Sequence, residues 1–78
     1  MLTLYVKTGC PFCARVLDKA GQLDLDLELK NIADEATANE LVQKGGQLTV
    51  PYLVDSDKSI AMYESDDIID YLEENYGH

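Results

Sequence analysis

The chain has 78 residues, of which 46 % are apolar, and a formal net charge of −9. A length of this order predicts a single domain, residues 1–78, and the apolar content is enough for a core, which excludes a disordered chain. Binding to nucleic acid requires a basic surface, and this composition excludes it.

The negative charge is unevenly distributed. Residues 1–30 carry four basic and four acidic side chains, so the whole excess lies in residues 31–78, which carry two basic and eleven acidic ones. We expect an acidic, solvated surface that keeps the protein soluble and monomeric. The sequence has neither an apolar run of about 18 residues nor the pattern of a signal peptide. We therefore expect no membrane association and a cytoplasmic protein with reduced thiols.

The first half of the chain predicts a strand, a helix and a second strand. Residues 2–6 form a short apolar run rich in β-formers, and Gly9 follows it. Pro11 and Gly21 bracket a helix, because proline suits the first turn and glycine suits the left-handed position just past the end. In residues 23–30 leucine alternates with charged side chains, and this period of two predicts a strand with one apolar face.

The second half predicts a helix, a hairpin and a last helix. Residues 34–44 favour a helix that Asp34 caps and two glycines end, with a thin apolar stripe. Two short strands, residues 52–54 and 60–63, flank a polar turn and predict a hairpin. We expect Ser65 to cap the last helix. The stripe of the middle helix comprises Ala38, Leu41 and Val42, and the apolar face of the last helix comprises Ile68, Ile69, Tyr71, Leu72 and Tyr76.

The element order β-α-β-α-β-β-α predicts an α/β fold. A right-handed crossover joins two parallel strands, and the hairpin adds two more, so the sheet is mixed and four-stranded and three helices flank it. The expected radius of gyration is about 11–12 Å.

Both cysteines lie at the start of the first predicted helix, in the stretch TGCPFC. Pro11 in the first turn places Cys10 at the helix N-terminus, where unpaired N–H groups and the helix dipole favour a thiolate. Cys13 lies one turn into the helix, on the same side and farther from solvent. We therefore expect Cys10 to be the attacking thiolate and Cys13 to be the resolving thiol.

Three other interpretations of the cysteine pair are weaker. A zinc site needs four ligands, and beyond the cysteines the chain offers only His78, so we expect no metal. A structural disulfide across so short a loop removes little entropy from the unfolded chain and is disfavoured in a reducing cytosol. Two inert buried cysteines would not usually flank a proline at a helix start. A CxxC motif beside a βαβ pattern instead indicates redox chemistry.

Three features together resemble the glutaredoxin family, which has a thioredoxin-like fold, over essentially the whole chain: Lys7, the motif Cys10-Pro11-Phe12-Cys13, and Thr49-Val50-Pro51. The resemblance implies that Cys10 forms a mixed disulfide with glutathione and that Cys13 resolves protein disulfides.

The resemblance also assigns the neighbouring residues to a glutathione site. It implies that Lys7 lies near the glycyl carboxylate, with an ordinary exposed lysine as the alternative. It implies that Phe12 is exposed beside the cysteines, with core packing as the alternative. The Val50–Pro51 peptide bond would be cis, and the Val50 backbone would pair with the cysteinyl part of glutathione like an added strand.

Two departures from the glutaredoxin pattern follow. Glu64-Ser65 resembles the N-terminal domain of glutathione transferases, in which this pair holds the γ-glutamyl end of glutathione. A serine hydroxyl and helix N-terminal amides suit a carboxylate, and Glu64 suits an ammonium. The alternative is that Ser65 only caps the helix and Glu64 is solvated. Gln47-Leu48 lies where many relatives carry a basic residue, which puts a second cation for the glycyl carboxylate in doubt.

The expected function is that of a glutathione-dependent dithiol-disulfide oxidoreductase, with glutathione as co-substrate. Its partners would be disulfide-bearing or glutathionylated proteins. The alternatives are a redoxin recycled by thioredoxin reductase, a glutathione or iron–sulfur binding module without turnover, and a detached transferase N-terminal domain.

Overall fold

The computed structural model describes residues 1–77 and contains seven elements in the predicted order. They are β1 (Leu2–Val6), α1 (Pro11–Gln22), β2 (Leu27–Asn31), α2 (Glu35–Gly45), β3 (Tyr52–Asp55), β4 (Ile60–Met62) and α3 (Ser65–Tyr76). The strand order is β2-β1-β3-β4, with β1 parallel to β2 and antiparallel to β3, and β3 antiparallel to β4. This is the expected thioredoxin-like α/β fold, and its radius of gyration is 11.6 Å.

Two apolar clusters lie on opposite faces of the sheet because successive side chains of β1 point to opposite sides. Leu4 of β1, Val16 of α1 and Leu72 of α3 belong to the larger cluster, so α1 and α3 share one face. Tyr5 of β1 packs with Leu41 of α2 on the other face. Each fully buried leucine contributes about 1.5–3 kcal/mol by leaving water, so the three helices are held to the sheet mainly by these contacts.

The end of α1 differs from the prediction. Gly21 lies inside the helix rather than past its end, and the helix is capped at Leu23, whose N–H donates to the Lys19 carbonyl at 3.0 Å. The left-handed conformation belongs instead to Asp24, with φ of 56°. Aspartate tolerates this region better than most residues, so the turn forms without glycine.

The strand predicted over residues 23–30 is wrong at its start, since β2 begins only at Leu27. The positive φ of Asp24 breaks the extended conformation that the leucine alternation suggested. The leucine face is also only partly covered: Leu29 is 52 % exposed, because β2 is the edge strand of the sheet.

The two later helices confirm some predicted ends and correct others. The Asp34 carboxylate caps α2 by accepting from the Ala36 N–H at 2.9 Å, and Gly46 ends the helix with φ of 83°. Of the predicted stripe only Leu41 is fully buried, whereas Val42 is exposed.

Ser65 is not the cap of α3: Glu64 holds that position, with no side-chain bond, and Ser65 is the first helical residue. None of the helices in residues 1–77 has the length and apolar character that a membrane span requires.

Candidate functional site

Cys10 lies at the carboxyl end of β1, where the chain enters α1. Its backbone is extended, Pro11 is the first helical residue, and the Cys10 sulfur accepts from the Cys13 N–H at 3.4 Å. The Cys10 carbonyl accepts from the Ala14 N–H at 3.1 Å, which makes Cys10 the cap of the helix. The predicted position of the thiol at the helix N-terminus is therefore confirmed.

The two thiols are electrostatically unequal. Desolvation raises the pKa of Cys10, but hydrogen bonds from Cys13 and from the Phe12 backbone, together with the Lys7 charge, outweigh it and lower that pKa below its ordinary value. Cys13 is only 2 % exposed. Its burial, and then the Cys10 sulfur beside it, raise the pKa of Cys13 to about 11. At neutral pH Cys10 is the better nucleophile and Cys13 remains a thiol.

A groove of about 290 Å³ lies beside Cys10, between the start of α1, the segment before β3 and the start of α3. The residues that line it are Phe12, Arg15, Thr49, Val50, Pro51, Glu64, Ser65 and Asp66. Cys10 itself lies at the margin of the groove, two residues before Phe12, and packs with Val50 against the same apolar cluster. Six residues predicted for a glutathione site thus share one groove, with the nucleophile next to it.

Phe12 and Val50 connect the groove to Cys10: Phe12 lies two residues farther along the chain, and Val50 packs against the same apolar cluster as Cys10. Phe12 is 56 % exposed, as the resemblance implied, and the Val50–Pro51 peptide bond is cis, as it also implied. Within residues 1–77, no backbone hydrogen bond outside the helices and strands involves Val50. Its N–H and C=O are therefore available to an extended ligand.

The groove lining includes a cation that the sequence analysis missed. Arg15 of α1 donates to the Ser65 hydroxyl at 3.4 Å and to the Asp66 carboxylate at 2.6 Å. Ser65 is buried and is the first residue of α3. Its hydroxyl accepts from Arg15 and does not cap the helix. Arg15 and Ser65 lie about fifty residues apart in the sequence, so no local pattern predicts their contact. The one signal is that Arg15 follows Phe12 by three residues, which puts both side chains on one side of α1.

Lys7 lies outside this groove. It is exposed in the turn between β1 and α1, and its backbone carbonyl accepts from the Cys10 N–H at 3.2 Å. Its charge acts on the Cys10 thiolate, as noted above. Thr49, by contrast, is an exposed part of the groove wall.

A second groove of about 310 Å³ lies between α1 and β2 and is slightly larger. Its lining is mostly aliphatic, with Asp26 as the one ionisable side chain, and it contains no nucleophile, so we assign the chemistry to the smaller groove. No group of three or more histidine, cysteine or acidic side chains in residues 1–77 is arranged to hold a metal ion. His78, considered above as a zinc ligand, lies outside the described residues.

Residues 4–78 match the family described as Glutathione S-transferase, N-terminal domain. No curated protein matches the chain. Solved structures do match it, and all of those compared below are much longer than this chain.

A delta-class glutathione transferase from Nilaparvata lugens is 30 % identical, with a TM-score of 0.84 over 100 % of this chain and 37 % of that one. An epsilon-class glutathione S-transferase from the housefly, Musca domestica, is 30 % identical, with a TM-score of 0.80 over 99 % of this chain and 36 % of that one. A glutathione transferase homologue from Drosophila mojavensis, described with bound glutathione, is 29 % identical, with a TM-score of 0.80 over 97 % and 35 %.

The chain therefore spans little more than a third of the length of these structures. The matches support the resemblance drawn from Glu64-Ser65 and give no support to placing the chain among the glutaredoxins.

Proposed function

Because the chain belongs to the family of glutathione S-transferase N-terminal domains, we propose that it binds glutathione in the groove beside Cys10 and catalyses thiol-disulfide exchange with it. The observation that carries the proposal is the Cys10 sulfur at the N-terminus of α1, with its lowered pKa, next to that groove. Its substrates would be glutathionylated or disulfide-bearing proteins in a reducing compartment such as the cytoplasm.

The groove offers complementary groups to each part of glutathione. Among the lining residues, Glu64 suits the γ-glutamyl ammonium, and the Ser65 hydroxyl with Arg15 suits the α-carboxylate. The free backbone of Val50 suits the cysteinyl amide, which would bring the glutathione sulfur to Cys10. Lys7 lies outside the groove lining, its charge acts on Cys10, and it suits the glycyl carboxylate. The glutathione bound to the Drosophila mojavensis homologue supports glutathione as the ligand.

The exchange needs one nucleophile and no outside oxidant. The Cys10 thiolate attacks the glutathione sulfur of a protein–glutathione disulfide, that S–S bond breaks, and the protein leaves as a thiolate that takes a proton from water. A second glutathione thiolate then attacks the glutathione sulfur now bonded to Cys10. Oxidised glutathione forms and the Cys10 thiolate is restored. The net reaction consumes one free glutathione and releases the protein thiol, and the glutathione that was attached to the protein becomes the other half of the oxidised glutathione.

Cys13 provides a second route for protein disulfides. After Cys10 has formed a mixed disulfide, Cys13 must lose its proton before it can attack the Cys10 sulfur, and its high pKa makes this slow at neutral pH. Part of that pKa comes from the Cys10 thiolate, and this contribution disappears once Cys10 is bonded to another sulfur. The structure therefore favours the route that uses Cys10 alone, with the Cys13 route slower.

Conjugation of glutathione to an electrophile is the second candidate, and the family match favours it. Such an enzyme must stabilise the thiolate of glutathione itself, for which a neutral hydrogen-bond donor is suited. Cys10 in its thiolate form cannot donate a hydrogen bond and repels a second thiolate. Its side chain therefore suits disulfide exchange better than conjugation.

The test compares Cys10→Ser and Cys13→Ser with the wild-type chain. Activity is measured towards a glutathionylated peptide, with glutathione as reductant. We expect Cys10→Ser to lose at least about 99 % of the rate, because the nucleophile is gone, and Cys13→Ser to keep most of it. Loss of activity in Cys13→Ser would contradict the assigned roles.

Two control assays separate the alternatives. Turnover with thioredoxin reductase and none with glutathione would exclude glutathione as the reductant. Turnover of an aryl halide that survives in Cys10→Ser, with no disulfide exchange in the wild-type chain, would establish conjugation instead. Far-ultraviolet circular dichroism of both variants checks that each is folded.

A further inference from the structure

Strand β2 has one free edge. It is the outer strand of the sheet, and among residues 1–77 it pairs only with β1, on its inner side. The Ile32 N–H donates to the Val6 carbonyl at 2.9 Å, so the even-numbered residues of this segment direct their backbone groups towards β1. By the alternation of a strand, Leu27, Leu29 and Asn31 direct theirs away from the sheet. An edge of this kind is a template for a further strand.

The side chains of β2 are divided between its two faces. Glu28 and Lys30 lie on the face that carries α2, where the Lys30 ammonium contacts the Glu40 carboxylate at 2.9 Å and the Glu28 carboxylate of the same chain at 3.8 Å. Leu27 and Leu29 lie on the other face and line the aliphatic groove against α1. The exposed leucines of β2 and α1 thus continue to the free edge of the sheet.

The sequence of β2, LELKN, is complementary to itself in the antiparallel direction. When Leu29 of one copy lies opposite Leu29 of another, Glu28 lies opposite Lys30 and Lys30 opposite Glu28. A shift that places Glu28 opposite Glu28, or Lys30 opposite Lys30, also keeps the outward backbone groups in line but brings like charges together. Opposite charges across a strand pair stabilise it and like charges destabilise it. The charges therefore select one register of the three.

We propose that two copies of this chain associate through β2, antiparallel and centred on Leu29, to form a continuous eight-stranded sheet. The interface is isologous, as the commonest dimers are. The two Leu29 residues exchange their backbone hydrogen bonds, and their side chains cover each other at the open end of the aliphatic groove. The pairing ends at Asn31, whose carbonyl already accepts from the Asp34 N–H at 3.2 Å.

The net charge of each copy opposes association at long range but does not prevent it. At physiological salt the Debye length is about 8 Å, so most of the −9 on each copy is screened. Directly opposed side chains in a strand pair have Cβ atoms about 5 Å apart, within that distance. The result is a weak dimer that departs from the monomer expected from the sequence, and it is independent of the thiol chemistry proposed above.

Sedimentation velocity over a concentration series tests the association. We expect a reversible dimer in the wild-type chain, and a dissociation constant roughly tenfold higher in Glu28→Lys, which places a second lysine opposite Lys30 of the other copy. Glu28→Lys replaces the contact of Glu28 with Lys30 in the same chain by a pair of like charges, and Lys30→Glu removes the bond to Glu40. Far-ultraviolet circular dichroism and urea unfolding of both variants therefore separate a loss of dimer from a loss of fold. Mixing Glu28→Lys with Lys30→Glu should restore dimers, because each chain then meets the opposite charge. A wild-type chain that stays monomeric throughout would overturn the proposal.

Cross-linking tests the register. In a Cys10→Ser, Cys13→Ser background, Leu29→Cys should form a disulfide between copies under mild oxidation, because residues in a hydrogen-bonded antiparallel pair lie about 5.5 Å apart at Cα. Leu48→Cys is the matched control, since Leu48 is 56 % exposed but lies outside β2. Equal cross-linking of the two variants, or a dimer unaffected by Glu28→Lys, would show that copies meet elsewhere.

Discussion

The two cysteines show how one turn of helix separates the roles of identical side chains. Cys10 has its sulfur at the end of α1, where an N–H bond and the nearby Lys7 favour the anion. Cys13 is buried under the same turn, where the anion is disfavoured. The asymmetry depends on Pro11, because proline fixes where the helix starts.

The pH dependence of alkylation should reveal the lowered pKa of Cys10. The thiolate is the reactive form, so the rate at which Cys10 reacts with iodoacetamide should rise with pH. The midpoint of that rise should lie below the pKa of an ordinary cysteine, about 8.5. Lys7→Gln should move the midpoint upward, because a positive charge that stabilises the thiolate is lost. Lys44→Gln, on α2 across the sheet, should leave it unchanged. Peptide mass spectrometry assigns the rates, and a wild-type midpoint at or above about 8.5 would contradict the structure.

At the scale of the elements, two helical glycines have different surroundings. A Cβ added at Gly21 in α1 meets no atom within 4 Å. A Cβ added at Gly45, the last residue of α2, would overlap the Tyr63 hydroxyl. That hydroxyl donates to the Gln47 carbonyl at 2.9 Å and accepts from the Gln47 N–H at 3.2 Å, so it cannot move without losing both bonds.

The two alanine variants should therefore shift stability in opposite directions. Gly21→Ala should raise the free energy of unfolding by about 0.5–1 kcal/mol, because alanine restricts the unfolded chain and suits a helix. Gly45→Ala should lower it by about 1–3 kcal/mol, because the new methyl group displaces Tyr63. Urea unfolding measures both. A destabilising Gly21→Ala would contradict the helical conformation of Gly21 and would indicate a left-handed backbone at this residue.

Sequence patterns predicted the elements better than their ends. Periodicity and helix signals are local, so the element order and the Asp34 cap were predicted correctly. The start of β2 was missed because the alternating leucines continue across Asp24, whose backbone turn leaves no mark in the pattern. Arg15 was missed for a different reason: its contact with Ser65 is set by the packing of α1 against α3, which no local pattern contains.

At the scale of the whole molecule, one buried carboxylate joins the sheet to the last helix. Asp55, at the end of β3, is fully buried and accepts from the hydroxyls of Tyr71 at 2.6 Å and Tyr76 at 2.5 Å. The Asp57 N–H donates to its other oxygen at 3.1 Å. Burial raises the pKa of Asp55, but these hydrogen bonds outweigh it and hold the pKa below its usual value. Bonding to Asp55 in turn raises the pKa of Tyr76 to about 12.

These shifts define the pH range of maximum stability. The contribution of Asp55 is complete above its unfolded pKa of about 3.9 and is lost as pH falls through the lower folded value. The contribution of Tyr76 is complete below about 10 and is lost as pH rises through about 12. Asp55→Asn should lower the free energy of unfolding at pH 7 by about 2–3 kcal/mol and make the acid limb shallower.

Urea unfolding between about pH 2 and 8 measures this effect, with Asp57→Asn as the control. The Asp57 side chain is exposed, and its one ion pair within the described residues is with the N-terminal amine at the surface, so its substitution should change stability little. An acid limb that is unchanged in Asp55→Asn would show that other carboxylates control unfolding in acid.

Helix α3 is attached at both ends to different parts of the molecule. Its first turn supplies Ser65 and Asp66 to the groove and is held there by Arg15, while its last two turns are held by Asp55. A helix moves largely as a rigid unit, so the position of the groove wall depends on bonds made at the opposite end of α3. We therefore expect Tyr71 and Tyr76 to influence ligand affinity from a distance, and a survey of the groove lining alone would overlook them.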